Sequence, residues 1–233
     1  MSEFKFSDRG YKGTTVLVPG WGTDYRVFDT LDLETNYLTP VTFSPFSFDK
    51  DLLAAMAGYG LDKISVIGWS MGAFAACDFI SAHGDHVSDV ILIGVRKRYE
   101  REKLKEIRAA LEKNKKAFLY KFYKDFFSKN EKSEYAWFRD NLSKDYIGRI
   151  SLDDLIEGLD YLSESEIKTD HLKAMKTSLI HGKEDKVAPI EGALELRDGL
   201  PAARFVAIDG SGHMPFLRTG FKDILYKTDI SHG

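Results

Sequence analysis

The chain has 233 residues, 43% hydrophobic and 13% aromatic, enough apolar material for one α/β domain with a continuous core and too much for a disordered chain. Its 33 Lys and Arg against 36 Asp and Glu leave a formal charge of −3, without the basic excess of a nucleic-acid-binding domain. A single cysteine, Cys77, excludes an intrachain disulfide framework and a Cys-rich zinc site.

In chain order, residues 1–9 carry charges where a signal peptide needs an apolar stretch, and no later run approaches the roughly 18 apolar residues of a membrane span. The expectation is a soluble, cytoplasmic protein that binds neither nucleic acid nor membrane. The first β-branched run is 15–18, with Gly20-Trp21-Gly22 close behind it. A weaker strand is expected near 40–43 and a helix over 51–58. The run 64–67 leads into Gly68-Trp69-Ser70-Met71-Gly72 and a helix over 71–82, on which Cys77 reads as a small buried thiol. A further strand covers 90–93.

The strand rhythm then stops. Residues 96–165 are helical, charged and aromatic, and read as a cap inserted into a core made of 1–95 and 166–233. Phe118, Phe122 and Phe126 share one helical face there, with Leu119 and Tyr123 beside it, a stripe expected to pack the cap onto the core. The core resumes with a strand at 178–180, a helix over 190–200 and a strand at 204–208. These strands are β-branched, lack a polar alternation and end in Gly, Pro or polar turns, the pattern of a mostly parallel sheet covered by helices on both faces. Ligands of such sheets bind beyond the carboxyl ends of the strands, where a cap would sit.

Gly68-Trp69-Ser70-Met71-Gly72 is the chemically sharpest segment. A serine between a buried strand and a helix, flanked by glycines, is held in a tight turn with its hydroxyl exposed at the helix N-terminus. Such a hydroxyl is a weak nucleophile until a base takes its proton and an acid orients that base. Asp185, on the loop after 178–180, and His213, in Gly210-Ser211-Gly212-His213 after 204–208, stand in the required order. Glu184 is the main rival for the acid and Asp209 a distant third. His83, His86 and His171 read as solvated, His232 lies in the C-terminal tail, and His181 suits a structural hydrogen bond to the acid loop. The amides of Trp21 and Met71 are the candidate donors for an oxyanion. No His or carboxylate cluster has metal spacing and no phosphate-binding glycine loop is present.

On these residues the chain resembles the α/β-hydrolase superfamily over nearly its whole length, and within it the pimeloyl-[acyl-carrier protein] methyl ester esterases of biotin synthesis. The narrower likeness rests on Gly20-Trp21-Gly22, the Trp-containing elbow at 68–72, Gly158-Leu159-Asp160-Tyr161-Leu162, the 182–185 loop and Gly212-His213-Met214-Pro215-Phe216. It implies an α/β-hydrolase fold and a serine carboxylic-ester hydrolase with Ser70, Asp185 and His213 as triad. It also implies that Trp21 and Met71 supply the oxyanion amides and touch the acyl chain, that an acyl carrier protein delivers the substrate, and that no cofactor is used. The alternatives are a short-acyl esterase or thioesterase, and a non-catalytic relative that binds a ligand or partner. The sequence departs from the family in having Pro19 where many relatives carry His, and its N-terminus is expected to leave little room for the fold's usual first two strands.

Charge adds an independent pointer. Residues 96–149 hold 17 Lys and Arg against 9 Asp and Glu, so a basic cap covers an acidic body. Arg96, Lys97, Arg98 and Arg101, with Lys103, Lys105 and Arg108, would suit docking of an acidic carrier protein. The plainer reading is a solvated helix laced by local ion pairs.

Overall fold

The apolar runs align as one seven-stranded sheet in the computed structural model, which describes residues 2–226. The strands are β1 (Phe4–Ser7), β2 (Thr14–Val18), β3 (Asn36–Pro40), β4 (Ile64–Trp69), β5 (Val87–Ile93), β6 (Lys176–Gly182) and β7 (Arg204–Ile208), in spatial order β1-β3-β2-β4-β5-β6-β7. β1 is antiparallel to β3, and every other pairing is parallel. Val16, Val18, Val66, Val90 and Leu92 are at most 1% exposed, which is why their strands carry no polar face. The parallel arrangement gathers the carboxyl ends of β2, β4, β5, β6 and β7 at one edge.

Two expectations are corrected here. The strand expected near 40–43 runs instead over Asn36–Pro40, and the N-terminal segment does form a strand, β1, on the edge of the sheet. Asn36 hid the first: it is buried, yet its side chain donates to the Tyr11 carbonyl and accepts from the Arg9 and Tyr11 amides. In the second, Phe4 and Phe6 alternate with polar residues and pack against the core, a period-2 signal only four residues long.

Helices α1 (Phe48–Tyr59), α2 (Met71–His83), α7 (Ile190–Asp198) and α8 (Phe221–Tyr226) accompany the sheet. α1 buries Phe48, Leu52 and Met56, one turn apart, and ends where Gly60 adopts a φ of 66°. α2 buries Met71 to Cys77, Phe79 and Ile80, so it is apolar almost all round; Cys77 lies on it as a buried free thiol whose pKa burial pushes up. Between β5 and β6 the chain forms α3 (Arg101–Asp125), α4 (Lys132–Phe138), α5 (Lys144–Arg149) and α6 (Leu152–Glu164). α3 breaks at Asn114, whose extended backbone interrupts the helix while its Oδ1 accepts the Ala117 amide and starts the second half. α6 opens on a reciprocal cap between Ser151 and Asp154. No helix among the described residues is long and apolar enough to cross a membrane.

Candidate active site

Strand β4 passes into α2 through a single residue, and the turn is sterically tight. Ser70 has φ 55° and ψ −121°, making it the one non-glycine with positive φ among the described residues. A Cβ on Gly68 would lie 2.7 Å from the Ala73 Cα, and one on Gly72 would run into the Val18 carbonyl, so neither flanking position has space for a side chain. The Ser70 amide donates to the Ile93 carbonyl at 2.9 Å, which fastens the turn to the end of β5. The hydroxyl is thereby presented at the N-terminus of α2, the positive end of its dipole.

His213 Nε2 lies 2.9 Å from Ser70 Oγ, and Nδ1 lies 2.6 Å from Asp185 Oδ2. An ionised carboxylate only accepts, so Nδ1 carries the ring proton and Nε2 is left to accept from the hydroxyl. The other carboxylate oxygen, Oδ1, takes the Val187 and Ala188 amides, both at 2.8 Å. Ser70, Asp185 and His213 are 6%, 7% and 1% exposed, so the hydrogen-bonded chain sits largely out of water, where it is stronger than in solution. The rival acids do not reach it: Glu184 is exposed beside Asn130, and Asp209 pairs with Lys183 on the surface.

His181 underlies the acid loop as the sequence suggests, its Nε2 donating to the Ala188 carbonyl at 2.7 Å. Burial lowers its pKa despite the nearby Asp185 charge, so it serves as a neutral prop. His171 is exposed. His83 and His86, expected to be solvated, are half-buried: His83 packs on Phe79 and His86 Nδ1 meets the Asp62 carbonyl at 2.9 Å. His232 lies outside the described residues.

Nothing in the sequence signals how the His213 loop is held. Glu131, between α3 and α4, is 2% exposed and reaches into it. Its Oε1 accepts from Ser211 Oγ at 2.6 Å, and its Oε2 accepts from the amides of Gly212 and Ser128 at 2.7 and 2.8 Å. The His213 amide donates to the Phe126 carbonyl at 2.7 Å, and Ser128 Oγ to the Gly210 carbonyl at 2.6 Å. From the opposite side the Trp69 indole N–H donates to the His213 carbonyl at 2.7 Å. The helical segment between β5 and β6 and the turn at Ser70 thus grip the histidine together. An isolated Glu in a polar stretch has no periodicity or spacing that would mark it.

Gly20 brings the loop after β2 over Ser70: a Cβ there would stand 3.1 Å from the Ser70 Cβ. Trp21 follows, 6% exposed, with its indole N–H donating to the Leu155 carbonyl of α6 at 2.8 Å. A Cβ on Gly158 would lie 2.9 Å from Trp21 Nε1 and 3.2 Å from Met71 Sδ, so Trp21 and Met71 meet at one point on α6. The expected aromatic stripe divides in two. Leu119, Tyr123 and Phe126 are fully buried, whereas Phe118 and Phe122 are half-buried and stand edge-on to Trp21, at 6.3 and 5.0 Å between centroids. Phe126 completes a row from Trp21 to His213, 5.5 Å from the imidazole.

The family model described as alpha/beta hydrolase fold matches residues 19–218. The chain belongs to the α/β-hydrolase fold family. Solved structures with the same fold include an esterase from Exiguobacterium antarcticum (TM-score 0.81, 21% identity, 96% of this chain and 94% of that one). Others are a thermophilic esterase from Thermogutta terrifontis with malate bound (0.78, 20%, 93% and 88%) and a bromoperoxidase from Bacillus anthracis (0.80, 18%, 96% and 94%). At these identities the likeness is one of fold. A sequence comparison with curated proteins finds no significant match.

In this α/β hydrolase the residues considered for docking are mostly engaged locally. Lys97 pairs with Glu166 and Glu195, each at 3.6 Å, Arg108 with Asp160, Lys103 with Glu106 and Lys105 with Glu102. Arg98 and Arg101 are exposed, Arg101 touching the Ser163 carbonyl at 3.4 Å. Arg96 is set apart from them, half-buried with its guanidinium over the Tyr99 ring.

Proposed function

We propose that the protein is a serine carboxylic-ester hydrolase. The observation that carries this reading is the unbroken chain Ser70 Oγ–His213–Asp185, with hydrogen bonds of 2.9 and 2.6 Å, placed in a strained strand-to-helix turn. His213 Nε2 takes the hydroxyl proton as Ser70 Oγ bonds to the ester carbonyl carbon, while Asp185 stabilises the imidazolium. The carbonyl oxygen, now negative, is held by the amides of Met71, at the head of α2, and Trp21, on the loop passing over Ser70. As the tetrahedral adduct collapses, the C–O bond breaks and the alcohol leaves with the proton from His213. Water then gives a proton to His213 and attacks the acyl-enzyme, releasing the acid and restoring Ser70. Residues 96–165 act as the cap, and its aromatic row of Phe118, Phe122 and Phe126 lines the acyl side beside Trp21.

The finer reading is the methyl ester of pimeloyl-acyl-carrier protein, cleaved to methanol and the free acid in biotin synthesis. It is supported by the Trp-containing oxyanion loop and elbow, and by the basic surplus of 96–149, which suits an acidic carrier protein in the cytoplasm. A short-acyl esterase would use the same machinery without the carrier. Comparing kcat/KM on the carrier-bound methyl ester with that on a p-nitrophenyl ester separates them: a strong carrier preference supports the finer reading, and turnover of the small ester alone removes it. Ser70→Ala is expected to lower kcat on either ester by about 10⁶-fold while the melting temperature stays within a few degrees. Substantial residual turnover would refute the nucleophile.

A further inference from the structure

Arg96 lies two residues past Gly94, whose backbone runs against the imidazole of His213: a Cβ on Gly94 would come 3.0 Å from His213 Nδ1. It is fixed from several sides. A Cβ on Gly192, in the first turn of α7, would stand 2.6 Å from the Arg96 Cβ, so helix and arginine fit together only because that side chain is missing. The guanidinium lies 5.1 Å from the centroid of the Tyr99 ring. The next two residues are pinned, since the Lys97 carbonyl accepts the Ile167 amide at 2.9 Å and Arg98 bridges to Glu166. The Tyr99 hydroxyl is close enough to the Ser70 side chain to be influenced by it, and burial raises the phenol to about 12, so it stays protonated. The guanidinium is therefore one aromatic ring away from the nucleophile.

What Arg96 lacks is an acceptor. Its Nε is buried with no hydrogen-bond partner, and no carboxylate or carbonyl among the described residues receives any part of the guanidinium. Elsewhere Arg9, Arg26, Arg108 and Arg149 each hold a carboxylate. The buried acid of the same site, Asp185, is already occupied by His213 and two amides. An unmatched guanidinium that is partly out of water is costly, and its planar fork matches a carboxylate with two parallel hydrogen bonds.

We propose that Arg96 forms a carboxylate-binding subsite of the active site. This deepens the reading of Ser70 as an ester-cleaving nucleophile and rests on it. The carboxylate has two possible sources of the same chemistry: the acid freed from Ser70 at the end of turnover, or a second carboxylate on the acyl chain of a dicarboxylic half-ester.

The test pairs calorimetric binding of hexanoate and adipate with kcat/KM on p-nitrophenyl hexanoate and mono-p-nitrophenyl adipate, for the wild type, Arg96→Gln and Arg96→Lys. Carboxylate binding is expected to weaken at least tenfold in Arg96→Gln. The loss in Arg96→Lys, which keeps the charge, is expected to be smaller, so the result survives if the glutamine variant is unstable. Loss of hexanoate binding with relief of product inhibition assigns the subsite to the freed acid. A wild-type preference for the adipate half-ester that disappears in Arg96→Gln assigns it to the second carboxylate. Unchanged affinity for both acids, with an unchanged ratio of kcat/KM, would overturn the proposal. If the wild type cleaves neither ester yet binds the acids through Arg96, the subsite stands and the Ser70 reading fails.

Discussion

Replacing Glu131 by Ala would leave the Ser211 hydroxyl and the Gly212 and Ser128 amides without their acceptor, next to the histidine they position. Each buried donor left unmet costs about 1–3 kcal/mol, so urea unfolding should show a loss of at least about 2 kcal/mol. Because the loop carries His213, kcat should fall more than KM rises. Glu131→Gln should recover most of both, since one amide oxygen still takes the two backbone N–H groups and the Ser211 hydroxyl rotates to accept. Equal losses in the two variants would mean that the charge, not the acceptor geometry, is what matters. At this scale the sequence showed the candidate triad and hid its supports. Ser70, Asp185 and His213 stand in recognisable turns, and the structure brings all three together. Glu131 and the Trp69 indole act from distant segments through single hydrogen bonds, and Arg96 reads from sequence as one more surface cation.

Helix α6 meets the loop that carries Trp21 through one missing side chain. Gly158→Ala would gain about 1 kcal/mol in an open helix, from propensity alone. Here the added methyl meets Trp21 and Met71 at less than contact distance, and overpacking of a filled interior costs about 1–3 kcal/mol. The clash should win: we expect a net loss of stability in urea and a lower kcat as Trp21 is displaced. A stabilised, fully active variant would show that α6 does not set the loop. The elements themselves were legible where apolar runs were long, as in β2, β4 and β5. β3 was misplaced because Asn36 is buried but hydrogen-bonded, and the break in α3 at Asn114 is a backbone event that an otherwise continuous helical pattern conceals.

Over the whole molecule, charge is segregated: residues 96–149 carry a surplus of eight positive charges and the remainder a surplus of eleven negative ones. Of the basic residues at the start of this segment, Lys97, Lys103, Lys105 and Arg108 are tied into ion pairs, whereas Arg98 and Arg101 are exposed with no carboxylate partner among the described residues. If an acidic carrier docks there, reversing both charges should lower kcat/KM on carrier-bound substrate roughly tenfold at low salt and leave a small ester untouched. Equal effects on both substrates would remove the docking surface. The fold class was readable from the order of strands and motifs, because a parallel sheet places every loop of the site at one edge. The partner was not, since a solvated helix and a docking face have the same composition.

Covalent labelling reports on the Ser70 hydroxyl itself. Incubation with a fluorophosphonate, followed by peptide mass spectrometry, is predicted to place one phosphonyl group per chain on Ser70, with activity lost in proportion. His213→Ala should suppress the reaction while leaving the fold intact. A protein that stays unlabelled at Ser70, or that keeps full esterase activity once Ser70 is labelled, would contradict the assignment of Ser70 as the nucleophile.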